Sequence, residues 1–254
     1  MLFRSVLFGI PAVLIALAIL ALVTEAGSDR AAAQAQGSVR SAFATILRDR
    51  DLVWLFLSSV LGGGGRGLGV VNVFVPLYLA HVIHLDVGSV ALMYAVLVVF
   101  SVPAPLVAGW LSDRVGRKPL IVGVYVAGAI AFGVFLAAGS GMAGLWAGIV
   151  LLGLFNFAES PQLQALLADI APAGIRDASY AAYFTLAFGV GSLWVAIYGA
   201  VIEALGETAG LPLVFVLMGG AFLLAALAVL PIRAEQRAAQ NRLAEIADPF
   251  TFDA

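Results

Sequence analysis

Seven long apolar stretches, separated by short polar connections, limit this chain more than any other feature of its sequence. A helix that crosses a bilayer needs roughly 20 consecutive, mostly apolar residues, and each stretch is long enough. With 63% hydrophobic and 11% charged residues, the chain has too few polar side chains to cover a water-exposed surface. The sequence therefore predicts an all-α membrane protein with seven transmembrane helices in a lipid bilayer. The stretches are residues 2–25, 52–80, 87–111, 118–139, 142–168, 178–204 and 210–232.

The distribution of Lys and Arg predicts the orientation of these helices. Every Lys and Arg except Arg4 and Arg66 lies in or beside the first, third or fifth connection or in the C-terminal tail. Because cationic residues are retained on the cytoplasmic side, we expect these segments and the C-terminus in the cytoplasm, with Met1 outside. The expected location is a plasma (inner) membrane, with the chain as a multi-pass integral protein.

The first apolar stretch has a second interpretation, as a secretory signal peptide. Arg4, the apolar run and the sequence AAAQA near Ala33 imitate the regions of such a peptide. The run from Val6 to Val23 is, however, longer than the usual signal core of about 7–15 residues. Cleavage would also leave a bundle whose charges keep the new N-terminus in the cytoplasm. A transmembrane helix is therefore the favoured interpretation.

The polarity pattern divides the chain into four predicted parts. Residues 1–25 form a transmembrane helix, residues 26–51 a cytoplasmic linker, residues 52–232 a six-helix bundle and residues 233–254 a cytoplasmic tail. The second part of the linker, residues 38–51, has the spacing of an amphipathic surface helix. Its predicted apolar face comprises Val39, Phe43, Ile46 and Leu47.

The six spans of the bundle form two triplets, residues 52–139 and 142–232, which enter the membrane from opposite sides. Each triplet begins with its most polar helix: the first contains the sequence GGGGRG around Arg66, and the second contains Asn156 and Glu159. Interrupted, polar helices at corresponding positions of inverted repeats are typical of the binding sites of secondary transporters. The predicted fold class is a 3+3 inverted repeat of six helices preceded by one extra helix.

The sequence GWLSDRVGRKPL forms a short charged hairpin between the third and fourth apolar stretches. Gly116 permits the left-handed backbone of a tight turn, and Gly109 permits close helix approach. Asp113 is expected to accept hydrogen bonds from a helix N-terminus, where the dipole favours an anion. Arg117 is expected to reach a carboxylate at another cytoplasmic helix end, with Asp169 as the acceptor.

The hairpin is similar to the signature loop of the major facilitator superfamily of secondary transporters, which reads roughly G-x-L-x-D-R-x-G-R-K. The segment DIAPAGIR also resembles the loop before the eleventh helix of that family. The resemblance implies that this cluster latches the outward-facing state and breaks when the transporter opens inward. The alternative is that the charges only anchor the hairpin at the membrane surface. The positions concerned are Gly109, Leu111, Asp113, Arg114, Gly116, Arg117, Lys118, Asp169 and Arg176.

The resemblance covers nearly the whole chain but only part of a family member. Members have twelve spans in two six-helix halves, and this chain resembles the sixth helix, the linker and the C-terminal half. We therefore expect an incomplete transporter: a fragment, a mis-started gene model or one partner of a split transporter. Its expected partner is the missing N-terminal half. The implied function is alternating-access transport of a small solute, with proton coupling inferred from the family and from Glu159.

Arg66 and Glu159 are the ionisable residues expected deepest in the membrane. A charge at the bilayer centre costs roughly 2.5–3.5 kcal/mol on insertion scales, so each needs a partner or a water-filled cavity. One interpretation gives Arg66 an anionic substrate group and Glu159 a coupling proton; the other is a buried structural ion pair between them. Asn156, Glu159 and Ser160 are expected on one helical face. Secondary cavity candidates are Asn72, Tyr94, Tyr180 and Tyr183.

Several other functions are disfavoured by the sequence. The GGGGRG sequence lacks the Lys-Ser/Thr of a phosphate-binding loop and lies inside an apolar stretch. The chain has no Cys, and its two His share one loop, so neither a disulfide nor a metal site is expected. The net charge of -2 argues against a nucleic-acid partner. We find no catalytic constellation and expect no enzyme and no cofactor. The alternative to a transporter is a non-transporting membrane sensor or assembly subunit that retains the scaffold.

Overall fold

The computed structural model describes residues 39–234, and every regular element in that range is a helix. Six helical segments within it are long and apolar enough to cross a membrane, which confirms the predicted all-helical membrane fold. The additional span predicted at residues 2–25, the first in chain order, lies outside the described residues, as does the tail beyond residue 234. The six are span I (Arg50–His81), span II (Val87–Val115), span III (Arg117–Ala137), span IV (Met142–Ile170), span V (Arg176–Leu205) and span VI (Glu207–Val229).

Spans I, II, IV and V are each divided into two helices, whereas spans III and VI are continuous. Spans I and V are interrupted by π-helical turns, at Gly67–Val71 and Thr185–Val190. The helices are α1 (Val39–Arg48) before the spans, α2 (Arg50–Gly62) and α3 (Asn72–His81) in span I, α4 (Val87–Ser101) and α5 (Ala104–Val115) in span II, α6 (Arg117–Ala137) as span III, α7 (Met142–Asn156) and α8 (Glu159–Ile170) in span IV, α9 (Arg176–Phe184) and α10 (Leu193–Leu205) in span V, and α11 (Glu207–Val229) as span VI.

Local sequence explains where several helices begin. Pro103 precedes α5 and divides span II, because proline suits a helix start and disrupts a helix interior. The Asp86 carboxylate caps α4 by accepting hydrogen bonds from the backbone and hydroxyl of Ser89, and these bonds lower the pKa of Asp86. Gly116 has a φ of 93° between α5 and α6, so the positive φ predicted for this turn is confirmed.

Spans I, III and VI form the packed centre of the bundle. The rings of Tyr125 and Phe132 in span III lie 5.1 and 5.9 Å from the Phe222 ring in span VI. A Cβ at Gly65 would lie 2.6 Å from the same Phe222 ring, so only glycine lets span I approach span VI this closely. Spans II and V lie at the surface of the bundle, since only 17% and 11% of their most apolar windows are buried.

The predicted surface helix corresponds to α1, which covers Val39–Arg48. Ile46 is 1% exposed and packs against the bundle, whereas Leu47 is 70% exposed and points away from it. Successive residues of a helix point about 100° apart, which separates the two side chains although both were expected on one face. The side chains of Val39 and Phe43 lie outside the described residues.

Candidate functional site

Arg66 and Glu159 form a buried ion pair in the interior of the bundle. The Arg66 Nε donates a hydrogen bond to Glu159 Oε1, and the two residues are 4% and 0% exposed. The other guanidinium nitrogens donate to the Ala187 carbonyl at 3.1 Å, the Ser59 carbonyl at 3.1 Å and the Ser59 hydroxyl at 3.3 Å. One side chain thereby joins three interrupted spans: span I through Ser59, span IV through Glu159 and span V through Ala187.

The interruption of span V explains why the Ala187 carbonyl is available to Arg66. In span V, the Gly191 N–H donates five residues back to the Leu186 carbonyl, so the π-helical turn leaves the Ala187 carbonyl without this donor. In span I, the Ser59 carbonyl accepts from Gly63 N–H and also from Arg66. A carbonyl released inside an apolar bundle needs a donor, and the guanidinium provides one.

The Glu159 carboxylate has a second, weaker partner in span III. The Tyr125 hydroxyl has two acceptors for its one proton, Glu159 Oε2 at 3.5 Å and the Ser58 carbonyl oxygen at 3.3 Å. The Ser58 hydroxyl in turn donates to the Ala225 carbonyl of span VI at 3.0 Å. Because a 3.5 Å contact is at the limit of hydrogen bonding, Arg66 provides most of the stabilisation of this carboxylate.

Asn156, Glu159 and Ser160, which the sequence predicted on one helical face, lie on either side of the junction between α7 and α8. Span IV breaks between α7 and α8, so Asn156 ends one helix and Glu159 begins the next. The Asn156 Nδ2 donates to the Gly65 carbonyl at 3.0 Å, and the Ser160 hydroxyl lies 3.3 Å from the Tyr183 hydroxyl. Asn156 and Glu159 thus reach the adjacent residues Gly65 and Arg66 of span I, and Ser160 contacts span V.

The secondary candidates fall into two groups. Tyr183 is buried and bonded to Ser160, beside the ion pair, and the Tyr180 hydroxyl donates to the Gln164 carbonyl of span IV at 3.0 Å. Asn72 and Tyr94 are half-buried, and no hydrogen bond joins either of them to Arg66 or Glu159 among the residues described. The structure therefore brings the two tyrosines of span V to span IV but leaves Asn72 and Tyr94 apart from the pair.

The charged hairpin forms a second cluster at one end of the bundle, called here the hairpin end. The Arg117 Nε donates to Asp169 Oδ2 at 2.9 Å, so the predicted contact between these residues is present. Asp113 lies 3.4 Å from the Arg117 guanidinium and does not cap α6. That expectation was wrong because Asp113 belongs to the preceding helix and faces Arg117 across the turn. The Arg114 guanidinium stacks on the Trp110 ring, 3.6 Å from its centre.

The remaining hairpin positions have individual roles. Lys118 Nζ donates to the Leu230 and Ile232 carbonyls at the end of span VI. A Cβ at Gly109 would meet span IV only at ordinary contact distance, 3.9 Å from Gln162 Nε2, so close approach does not require glycine there. Leu111 lies in α5, and Arg176 is the first residue of α9.

Sequence reasoning missed several partners of these sites. The carbonyls of Ser59 and Ala187 have no signature in the sequence, since every residue carries one. Asp51, which is buried and accepts a hydrogen bond from the Arg233 N–H at 3.2 Å, was assigned to the linker. The sequence did indicate that Asp51 belongs to span I, because Asp49 is a typical helix-capping residue and Asp51 follows it in the first turn.

The opposite end of the bundle carries an exposed pair. His81 Nδ1 lies 2.6 Å from Glu207 Oε2, which connects the end of span I to the start of span VI. In the part of the chain that the structure describes, no three His, Cys, Asp or Glu residues are grouped as metal ligands. The ion pairs found among the described residues thus include the buried pair, those of the hairpin end and this exposed contact.

Comparison with known proteins places these features in a family. The family model described as Major Facilitator Superfamily matches residues 3–196, which is more than half of the chain. A Na(+), Li(+), K(+)/H(+) antiporter from Planococcus maritimus is 29% identical over 131 residues. The matched region covers 49% of this chain and 30% of that relative, so it spans less than a third of the relative's length.

Proposed function

Since the chain belongs to the major facilitator superfamily, we propose that it takes part in proton-coupled, alternating-access transport of a small solute, with Glu159 as the coupling carboxylate. The observation that carries this proposal is the buried ion pair of Arg66 and Glu159 at the meeting point of three interrupted spans. Irregular backbone inside a membrane is tolerated where it lines a site, and transporters place their coupling sites at such interruptions.

The pair behaves as a switch because its two charges depend on each other. Separating a buried charge from its partner costs about 3–5 kcal/mol, so the pair stays closed while both groups are charged. A proton on Glu159 removes the attraction and releases Arg66 to another position. A solute charge that replaces either partner would have the same effect, which links the solute to the proton.

The proposed solute class is a monovalent cation. The relative from Planococcus maritimus exchanges alkali cations for protons according to its name, and the similarity to it supports the same class here. An anionic substrate bound by Arg66, the interpretation suggested by the sequence, requires the solute to displace Glu159 from a fully engaged guanidinium. A cation requires the same ion pair to open, with Arg66 leaving the carboxylate, so the choice of a cation rests on the similarity to that relative.

The contact between Arg117 and Asp169 is the proposed latch of this cycle. It joins the start of span III to span IV at the hairpin end, 2.9 Å apart, and both residues are partly exposed. We infer that this end faces the cytoplasm, because the cationic connections cluster there. Closure of this contact corresponds to the outward-facing state, and its rupture accompanies opening to the cytoplasm.

Alternating access needs a second bundle, and the proposed partner is the other six-helix half of the transporter. Spans II and V are the expected contact surface, because they expose most of their length in this bundle. Lipid covers the remaining outer surface. The half is either part of the same polypeptide or a separate chain.

The proposed function is tested in everted membrane vesicles from cells that express the chain together with its second six-helix half and lack their own cation/proton antiporters. Vesicles are acidified by respiration, and proton release is followed with a pH-sensitive dye after addition of NaCl, KCl, LiCl or choline chloride. We expect release with at least one alkali cation and none with choline. E159Q should abolish it.

The matched control is Y198F. Tyr198 is buried and donates to the Gly64 carbonyl at 2.8 Å, so its substitution removes a hydrogen bond to the same turn without touching the ion pair. Y198F should retain the exchange. Equal proton release in the wild type and E159Q would contradict the assignment of Glu159, and no release with any salt in the wild type would favour a non-transporting role.

A further inference from the structure

We propose that the oxygen atoms around the Arg66 guanidinium form the binding site of a monovalent alkali cation, for which the guanidinium is a tethered competitor. These atoms, called here the oxygen ring, are the Glu159 carboxylate, the Ser59 carbonyl and hydroxyl, and the Ala187 carbonyl. The inference rests on the proposed exchange of cations for protons and assigns the place where the cation binds.

The chemistry of the oxygen ring suits a hard cation. Every group that Arg66 contacts through its guanidinium nitrogens is an oxygen acceptor, and such ligands are those that hard metal ions prefer. The ring combines one carboxylate, two carbonyls and one hydroxyl from three different spans. Unwound backbone carbonyls coordinate sodium ions in secondary transporters, and the Ala187 carbonyl in the π-helical turn of span V is of this kind.

The backbone supplies an independent argument. The π-helical turn of span V leaves the Ala187 carbonyl without a hydrogen bond from Gly191 N–H, and Arg66 supplies the side-chain donor instead. If Arg66 withdrew and nothing replaced it, this carbonyl and the Glu159 carboxylate would face an apolar interior unpaired. A cation that enters as the guanidinium leaves would stabilise both. The oxygen ring therefore requires a positively charged occupant, either the Arg66 guanidinium or a bound cation.

Charge balance limits the valence of the replacement. The oxygen ring contains one formal negative charge, on Glu159, so a monovalent cation preserves the neutrality that Arg66 now provides. A divalent cation would leave an excess charge in a buried position.

The side-chain oxygen of Asn156, in the same span as Glu159, is a buried acceptor without a donor among the described residues. Asn156 is fully buried, and its Nδ2 holds the Gly65 carbonyl beside Arg66. Its Oδ1 has no hydrogen-bond partner among the described residues. Buried acceptors without a donor are uncommon, and a cation or its hydration water would satisfy this one. Span IV thus carries a spare acceptor on a side chain that already holds the turn of Arg66.

The test measures cation binding to the purified full chain rather than transport. Binding of radioactive sodium and the sodium-dependent shift of the unfolding temperature are compared, with choline chloride at equal ionic strength as the reference. R66Q removes the tethered cation and should bind sodium about tenfold more tightly than the wild type, because no occupant must first be displaced. R66K keeps a positive charge in the ring and should resemble the wild type.

The double variant R66Q/E159Q identifies the ligand. It lacks the carboxylate and should lose the sodium-dependent stabilisation, whereas R66Q/Y198F should retain it. Sodium binding by R66Q that is no tighter than that of the wild type overturns the proposal, as does equal binding by R66Q and R66Q/E159Q. If R66Q does not fold, loss of sodium binding in E159Q relative to Y198F supports the ring, and unchanged binding overturns it.

These results are separate from those of the vesicle assay. Cation-driven proton release that survives in the wild type while R66Q shows no gain in affinity would refute the oxygen ring and leave antiport intact. Tight sodium binding that depends on Glu159, without proton release from vesicles, would establish the ring and refute the proposed transport function.

Discussion

Arg66 and Glu159 are charged groups inside an apolar bundle, and each is stable there because of the other. Loss of one partner of such a pair costs about 3–5 kcal/mol, whereas apolar replacements of both are often neutral or stabilising. We predict that E159Q lowers the free energy of unfolding, and that R66M/E159M recovers most of the loss without restoring transport. Thermal unfolding in one detergent measures both. A double variant that is no more stable than E159Q would contradict this account.

Gly65 illustrates a second constraint at the residue scale. A Cβ there would lie 2.6 Å from the Phe222 ring, whereas a Cβ at Gly123 would have no heavy atom within 4 Å. We predict that G65A destabilises the bundle by about 1–3 kcal/mol, the usual cost of forcing extra atoms into a packed core. G123A is the matched control and should be neutral or slightly stabilising, since alanine favours a helix. Equal unfolding temperatures for G65A and G123A would refute the packing argument.

Lys118 stabilises the end of a helix, span VI, through two backbone carbonyls. The last carbonyls of a helix have no donor within the helix, and Lys118 donates to two carbonyls at the end of span VI. We predict that K118M loosens this end by about 1 kcal/mol and speeds backbone hydrogen exchange at residues 227–233. K118R retains a donor and should exchange at nearly the wild-type rate. Identical exchange in K118M and the wild type would show that the contacts do not stabilise span VI.

The proposed latch makes a prediction for spans III and IV. The chain has no Cys, so a single cysteine at Ala108, which is 6% exposed, is a unique reporter of opening at the hairpin end. We predict that D169N increases the maleimide labelling rate of A108C roughly fivefold, which corresponds to an ion pair of about 1 kcal/mol. D113N affects the same arginine through a more exposed carboxylate and should have a smaller effect. Labelling that is slower in D169N would contradict the latch.

The elements that were predictable from sequence are those with a strong one-dimensional signal. Hydropathy located spans I to VI because each must be apolar over the thickness of a membrane. The contact of Arg117 with Asp169 was predictable because the chain has few charges and the topology brings these two to the same end. The pairing of Arg66 with Glu159 was one of the two interpretations drawn from the sequence, because few other ionisable residues were expected inside the membrane.

The features that escaped prediction depend on backbone geometry. The π-helical turn at Thr185–Val190 contains no proline, and the carbonyl it releases belongs to an alanine with no distinctive side chain. The exact position of the junction between α7 and α8, after Asn156, likewise escaped prediction. Lys118 binds carbonyls more than a hundred positions away, a contact that only the folded bundle reveals.

At the scale of the whole molecule, the polar contacts tie together the spans that also form the packed centre. Lys118 joins span III to the end of span VI, and His81 joins span I to the start of span VI at the opposite end. Span V is also joined to span I through Arg66 and Tyr198, yet spans II and V expose most of their surface. We expect spans I, III and VI to move as one body during transport, with spans II and V forming the surface that meets the second half.

The central claim is that one carboxylate, Glu159, carries a proton and a monovalent cation in turn. Such an exchange moves no net charge, so proton release should proceed without an electrical current across the membrane. The measurement is the current recorded on a supported membrane of wild-type vesicles while a sodium step drives proton release measured in parallel. We predict dye-detected release with no sustained current, and neither signal in E159Q. A current that grows in proportion to proton release would contradict the shared carboxylate.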